Sequence, residues 1–194
     1  MSETSDTLRA LIDEQMTHLP VERHDPANGL PLQVTPFGAK EVSAVLEVLL
    51  STWVTMGKEV LAFEQEWADW CGTRHAIMVN SGSSANLVAL ASLVHSGVLE
   101  PGDEVLVPAV AWSTTLFPVA QLGLVPVMVD VCPESLGLCP IAAKSAMGPR
   151  TKAAMVVHLL GQPADIGALE DLGLIVIEDA CAAHGAQIGD QKVG

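Results

Sequence analysis

Three short segments of the chain contain residue types that could do chemistry, and the first is a serine-rich turn. Residues 80–86, Asn-Ser-Gly-Ser-Ser-Ala-Asn, join an apolar segment to an apolar helical pattern. Gly82 lets a ligand approach the backbone closely, Ser83 and Ser84 offer hydroxyl groups, and a helix start offers free amides with a partial positive charge. The turn can therefore hold a phosphate group without any lysine. The alternative is a serine N-cap after a tight turn.

The second segment presents an aromatic residue and the third ends in two acids. Trp112 follows an apolar strand pattern and could cover a flat heteroaromatic ring, although a tryptophan by itself is more often part of a core. The apolar run 174–177 ends in Glu178 and Asp179, whose side chains point to opposite faces of a strand, so only one of them can reach a given pocket. Taken alone, such an acid pair could also hold Mg²⁺.

Together the three segments match the parts of one coenzyme. Pyridoxal 5′-phosphate has a phosphate for the serine turn, a ring face for Trp112, and a pyridine nitrogen that a carboxylate such as Asp179 would keep protonated. We therefore predict pyridoxal or pyridoxamine phosphate as the cofactor. No metal site is predicted, because His158 and His184 have no ligand partner at helix or hairpin spacing. Structural roles are favoured for both histidines.

The elements that must position these segments form a regular pattern. From residue 74 onward, apolar strand segments (75–80, 104–109, 125–130, 152–160 and 172–179) alternate with helical patterns. This alternation predicts an α/β fold, a mostly parallel sheet with helices on both faces. In such a sheet, ligands gather beyond the carboxyl ends of the strands, where all three segments are expected to lie.

The amino-terminal part is less regular. The pattern predicts an amphipathic helix near residues 7–15, a proline-rich extended arm over 20–36, and helices over 40–50 and 58–70. We divide the chain into an amino-terminal helix and arm, residues 1–36, and a partial cofactor-binding large domain, residues 37–194.

Composition excludes several classes of partner. The 194 residues carry a formal net charge of −14, so attraction to nucleic acid or to anionic lipid is not expected. The four cysteines form no CxxC pair, and the amino terminus has no signal-peptide pattern, which together predict a reducing, cytoplasmic setting.

The uncharged stretch 105–129 is long enough to span a bilayer, but its three prolines favour buried parallel strands instead.

The blocks SGSSAN (81–86), PAVAWSTT (108–115) and IEDACAAHGAQIGDQKVG (177–194) resemble the DegT/StrS family of sugar aminotransferases. The resemblance begins near Leu30 and runs to the last residue. It implies the aspartate-aminotransferase type of fold (fold type I), a cytoplasmic homodimer, and a carboxyl-terminal small domain that this chain lacks.

The resemblance also implies roles for individual residues. Ser83 and Ser84 would hold the cofactor phosphate, with Gly82 permitting the close approach. Trp112 would lie over the ring, and Asp179 would meet the pyridine nitrogen.

The family's reactive lysine or histidine lies beyond Gly194, so no catalytic residue is expected within the chain. Ala182 stands where the family has glutamine or an acid, so its side chain is not expected to contact the ring hydroxyl. The five lysines are expected on the solvated surface: Lys40, Lys58, Lys144, Lys152 and Lys192.

The resemblance leaves three functions open. The first is amino transfer from an amino acid to a nucleotide-linked 4-keto-6-deoxy sugar. The second is dehydration at C3 of such a sugar, since SGSSAN and AWSTT look most similar to the nucleotide-sugar 3-dehydratase branch. The third is a noncatalytic truncated product. The 194-residue chain alone is expected to be inactive, and to aggregate or to depend on oligomerisation.

Overall fold

The computed structural model describes residues 3–18, 27, 29 and 37–194, without the side chains of residues 3–5. The described residues form two compact units, one on each side of the Leu61–Ala62 bond. The predicted arm over residues 20–36 lies outside the described residues apart from positions 27 and 29. The predicted division of the chain at residue 36 stays a prediction.

The first unit is helical. It contains α1, Glu3–His18, then α2, Ala39–Leu50, and the first residues of α3, Lys58–Cys71. Arg9 of α1 forms an ion pair with Glu47 of α2. All three helices were expected, and α1 extends beyond its predicted bounds at both ends.

The second unit contains a parallel sheet. Its described strands lie in the order β2-β1-β3-β4, and every neighbouring pair is parallel. The strand bounds are Glu104–Pro108 (β1), Val125–Val129 (β2), Thr151–Val157 (β3) and Ile175–Asp179 (β4). The helix bounds are Gly82–His95 (α4), Ser113–Gln121 (α5), Pro140–Ala146 (α6) and Ile166–Glu170 (α7), and a short antiparallel pair follows at Gln187–Ile188 (β5) and Gln191–Lys192 (β6).

Two apolar cores lie on opposite faces of the sheet. Alternate residues of β3 belong to different clusters: Ala153 and Met155 pack with Leu90 of α4, whereas Ala154 and Val156 pack with residues of α6 and α7. The predicted α/β fold with helices on both faces is confirmed. Full burial of the larger of these side chains, Leu90, Met155 and Val156, contributes about 1.5–3 kcal/mol per residue.

The predicted strand at residues 75–80 is wrong. This segment has no regular secondary structure, and Ile77 is 74% exposed. A strand needs a hydrogen-bonded neighbour, and the segment is not a member of the sheet. The N–H of Met78 instead donates to the carboxylate of Glu64 at 2.7 Å.

The uncharged stretch 105–129 divides into β1, α5 and β2 with their connections. In the described part of the chain, no helix combines the length and the apolar character that a bilayer crossing requires.

Candidate functional site

A buried asparagine joins the starts of two helices to the end of a strand. Asn86 lies in the second turn of α4 and is 8% exposed. Its Nδ2 donates to Oδ2 of Asp179, the last residue of β4, at 2.9 Å, and to the carbonyl of Thr114, near the start of α5, at 3.3 Å. The serine turn, the segment after β1 and the end of β4 therefore meet at one edge of the sheet.

The Thr114 carbonyl is available because of a proline. In a helix, this oxygen would accept from the N–H of residue 118, four positions later. That residue is Pro118, which lies inside α5 and has no N–H to donate. Asn86 supplies the donor that the helix lacks, so the site uses a backbone oxygen that an ordinary helix would have occupied.

The serine turn caps α4 and still leaves donors facing outward. Ser81 is the N-cap, and its Oγ accepts from the N–H of Ser84 at 3.2 Å, so the N-cap alternative is confirmed for Ser81. The Ser81 hydroxyl donates to the Ser84 hydroxyl, which keeps its own hydrogen for another acceptor. Ser83 is exposed. Helix capping and phosphate binding are compatible, because Ser81, which caps the helix, is not one of the predicted phosphate ligands.

Open space surrounds the start of α4. Among the described residues, and apart from the backbone of α4 itself and the two neighbouring residues, a Cβ atom added at Gly82 would meet no atom within 4 Å. The first N–H groups of a helix have no acceptor within the helix itself. This surface therefore has the room and the donors that a phosphate group needs.

Trp112 is not part of a core. Its side chain is 79% exposed, immediately before α5, which rules out the alternative of a buried tryptophan. An exposed indole has a free face, on which a heteroaromatic ring could stack. Its backbone is two residues from the Thr114 carbonyl that Asn86 contacts.

The two acids at the end of β4 point to opposite faces, as alternation predicts. Asp179 continues the face of Ile177 towards α4, and its Oδ1 also accepts from the N–H of Cys181 at 3.2 Å. Glu178 faces the other way and accepts from Nε2 of His158 at 2.8 Å. These acids do not share one pocket. Among the described residues, no group of three or more His, Cys, Asp or Glu side chains could hold a metal ion.

His158 has a structural position. It is fully buried, and its Nδ1 accepts from the N–H of Ala164 at 3.1 Å, so its ring hydrogen lies on Nε2 and donates to Glu178. The hydrogen bond from His158 lowers the pKa of Glu178, against a rise from burial, and the N–H of Gly194 lowers it further. Both polar atoms of the imidazole are thus used within the protein.

The remaining candidates lie outside the contacts made by Asp179. His184 is exposed, and its ring packs edge-on against Trp67 with centroids 5.1 Å apart. Lys192 is half-buried rather than fully solvated, because its Nζ donates to the carbonyl of Trp70 at 2.6 Å. The other four lysines are exposed, as expected. Ala182 is exposed, and its methyl group has no hydrogen-bonding atom to offer a ring hydroxyl.

Asn86 is the residue that sequence reasoning missed. It stands within the block SGSSAN, four positions before the fully buried Leu90, on the helix face that packs on the sheet. A polar amide at such a position must have buried partners. The spacing of Asn86 from Leu90 was therefore the sequence signal that could have identified Asn86 as a buried polar residue.

Comparison with known proteins gives one consistent group of relatives. The sequence profile described as the DegT/DnrJ/EryC1/StrS aminotransferase family matches residues 37–194. A GDP-4-keto-6-deoxy-D-mannose 3-dehydratase from Yersinia pseudotuberculosis is 37% identical over 170 residues, which are 84% of this chain and 43% of that protein. The chain thus spans less than half the length of this curated relative.

Solved structures agree with this grouping. A GDP-4-keto-6-deoxymannose-3-dehydratase with a trapped PLP-glutamate geminal diamine is 36% identical, with a TM-score of 0.79 over 84% of this chain and 44% of that one. DesV of S. venezuelae, in complex with a ketimine intermediate, is 38% identical, with a TM-score of 0.74 over 80% of this chain and 42% of that one. The predicted cofactor is confirmed at the level of these relatives.

Proposed function

The chain belongs to the DegT/DnrJ/EryC1/StrS aminotransferase family, and from this premise we propose that the protein is a pyridoxamine phosphate-dependent 3-dehydratase of a nucleotide-linked 4-keto-6-deoxy sugar. The observation that carries the proposal is the Asn86 side chain, which brings Asp179 within 2.9 Å of α4 and thereby next to the serine turn. The cofactor supplies, when bound, the amine that joins the sugar carbonyl and the ring that accepts electrons.

The phosphate of the cofactor would be held at the start of α4. Ser83 and Ser84 offer hydroxyl groups there, and the open space at Gly82 admits a phosphate to the backbone. The partial positive charge of a helix start favours the anion, and contributes about 0.3–1 kcal/mol in an exposed position. This device explains how a chain with a net charge of −14 could bind a phosphate.

The ring of the cofactor would lie between Trp112 and the end of β4. The indole would cover one face of the ring and exclude water from it. Asp179 would hold a proton on the pyridine nitrogen. Asn86 and the N–H of Cys181 donate to its two oxygens, so the carboxylate keeps a fixed direction.

We propose dehydration as the main function and amino transfer as the alternative, which reverses the order that the sequence alone suggested. The Yersinia relative at 37% identity and the solved structure at 36% identity both carry the 3-dehydratase name. We accordingly propose a GDP-linked sugar as the substrate and glutamate as the amino donor that regenerates the aminated cofactor. The inactivity of the 194-residue chain by itself stays a prediction, as does its cytoplasmic setting.

The test is a hybrid enzyme. Residues 37–194 replace the matching part of the Yersinia relative, and the products from GDP-4-keto-6-deoxymannose, pyridoxal phosphate and glutamate are identified by mass spectrometry. We expect a sugar that has lost the C3 oxygen, and we expect Asp179→Asn to abolish it while Asp171→Asn, an exposed control, leaves it unchanged. The reactive lysine or histidine of the hybrid comes from the Yersinia part, so the hybrid tests whether residues 37–194 form a binding site that supports dehydration. A hybrid that folds and binds the cofactor but releases no deoxy sugar would contradict the assignment.

We also propose that the protein is a homodimer. Support comes from large apolar side chains that the first unit leaves exposed, among them Leu50, Trp53 and Val54, which are 68%, 64% and 66% exposed. Surfaces of this kind are typical of interaction sites. Sedimentation equilibrium is expected to give the mass of a dimer, and Trp53→Ser is expected to weaken the association. A concentration-independent monomer would contradict the proposal.

A further inference from the structure

A short antiparallel turn between β2 and α6 brings two cysteines together. Val131 and Leu138 form an antiparallel bridge. Cys132 follows the first bridge residue and Cys139 follows the second, so alternation places both side chains on the same face of the turn, as diagonal neighbours. Diagonal neighbours are about 7–8 Å apart, slightly beyond the range that a disulfide spans, so a small closing movement of the turn is enough to join the two sulfurs.

The turn is firmly held. The N–H of Cys132 donates to the carbonyl of Gly137 at 2.9 Å, and the N–H of Cys139 donates to the carbonyl of Asp130 at 3.0 Å. Leu138 is buried in the core on the α6 and α7 face. The pair is thus fixed by backbone bonds and packing and does not depend on a chance encounter of loose side chains.

The two thiols lie close enough to shift each other's pKa, and they differ in their surroundings. Both side chains are partly exposed. The backbone N–H groups of Ala142 and Ile141, together with the Cys132 thiol, lower the pKa of Cys139. The neighbouring Cys139 thiol, followed by burial, raises the pKa of Cys132 to about 11. Cys139 is therefore the nucleophile of the pair and Cys132 keeps the proton.

We propose that Cys132 and Cys139 form a reversible redox pair that hydrogen peroxide converts to a disulfide. The Cys139 thiolate attacks one peroxide oxygen, the O–O bond breaks, and the leaving hydroxide takes a proton to become water. The resulting sulfenic acid is attacked by the Cys132 sulfur, the S–O bond breaks, and the second water leaves with the thiol proton. Two thiols and one peroxide give one disulfide and two waters, and a dithiol reductant reverses the change.

The other two cysteines serve as internal references. Burial, followed by a hydrogen bond with Asp179, raises the pKa of Cys181, which makes its thiol less reactive. Cleavage after Lys and Arg places Cys71 and Cys181 in separate peptides, whereas Cys132 and Cys139 share the peptide of residues 75–144. Glu134 lies between the paired cysteines, so a second cleavage there separates them unless a disulfide joins the halves.

The experiment is peptide mapping of the native chain after a brief exposure to hydrogen peroxide and alkylation of the remaining thiols. We expect the 75–144 peptide to be unalkylated and two hydrogens lighter than its reduced form, and its halves to stay linked after cleavage at Glu134. We expect Cys71 and Cys181 to be alkylated. The disulfide should form faster in the native chain than in urea, because only the folded turn holds the two cysteines on one face and lowers the pKa of Cys139.

Two variants test which cysteine reacts first, and two outcomes on the unmodified chain would refute the proposal. Cys132→Ser is expected to leave Cys139 as a sulfenic acid that dimedone traps, while Cys71→Ser is expected to oxidise like the original chain. Alkylation of both Cys132 and Cys139 after the exposure, or equal rates in the native and urea-unfolded chains, would overturn the proposal. Both outcomes are measured on the unmodified sequence, so the result does not depend on the folding of a variant.

Discussion

Removal of the Asn86 side chain tests the geometry of the site directly, without any cofactor present. Asn86→Ala deletes a hydrogen bond to a carboxylate and one to a neutral carbonyl. The first kind contributes about 1.5–3 kcal/mol and the second about 0.5–1.5 kcal/mol. Asp179 is only half-buried, so water replaces part of the loss. We expect the free energy of unfolding to fall by about 1–3 kcal/mol.

The assay is urea unfolding followed by far-ultraviolet circular dichroism, with Asn80→Ala as the matched control. Asn80 lies in the same serine-rich turn, residues 80–86, but is exposed, so its removal should cost at most about 0.5 kcal/mol. Asn86→Asp should cost more than Asn86→Ala at neutral pH, since it sets two carboxylates side by side, and the extra cost should shrink as the pH falls and the pair shares a proton. Equal stability of Asn86→Ala and Asn80→Ala would refute the reasoning.

Three further predictions concern single side chains. Gly82→Val and its control Gly167→Val should both leave the free energy of unfolding within about 0.5 kcal/mol of the original, because open space surrounds both glycines. Only Gly82→Val should weaken the binding of pyridoxal phosphate, measured by equilibrium dialysis. Equal affinities of the two variants would contradict this prediction. Trp112→Ala should lower the same affinity about two- to tenfold without changing the unfolding midpoint, because the indole is exposed and contributes only stacking, and a large loss of stability would show that the indole is structural. The lowered pKa of Glu178 implies a contribution to stability that is present above the ordinary pKa of 4.5 and is lost as the pH falls through the pKa of the folded state. The free energy of unfolding of Glu178→Gln in urea should therefore depend less on pH in the acid range than that of the original chain. Identical pH profiles would count against the His158 contact.

The sequence predicted those features that depend on local periodicity. Alternation of strands and helices predicted the parallel sheet, and alternation within β4 predicted that Glu178 and Asp179 face apart. The meeting of α4, the start of α5 and Asp179 at one edge of the sheet followed from the rule for strand ends.

Features that depend on tertiary approach could not be predicted in the same way. The Asn86 bonds require α4 and α5 to pack side by side, and the free Thr114 carbonyl becomes meaningful only once Pro118 is known to lie within a helix. Residues 75–80 have the apolar pattern of a strand, but the pattern does not show whether a partner strand lies beside them. The roles of Ser83, Ser84, Trp112 and Asp179 in cofactor binding therefore stay predictions.

The central claim is that the serine turn, the indole and the strand-end acid bind one molecule of pyridoxal phosphate. Its most direct test is the dissociation constant of pyridoxal phosphate for the original chain, Asp179→Asn and the control Asp171→Asn. We predict that Asp179→Asn weakens binding at least about tenfold, the equivalent of 1.4 kcal/mol, and that Asp171→Asn matches the original chain. Equal affinity of all three proteins would contradict the claim.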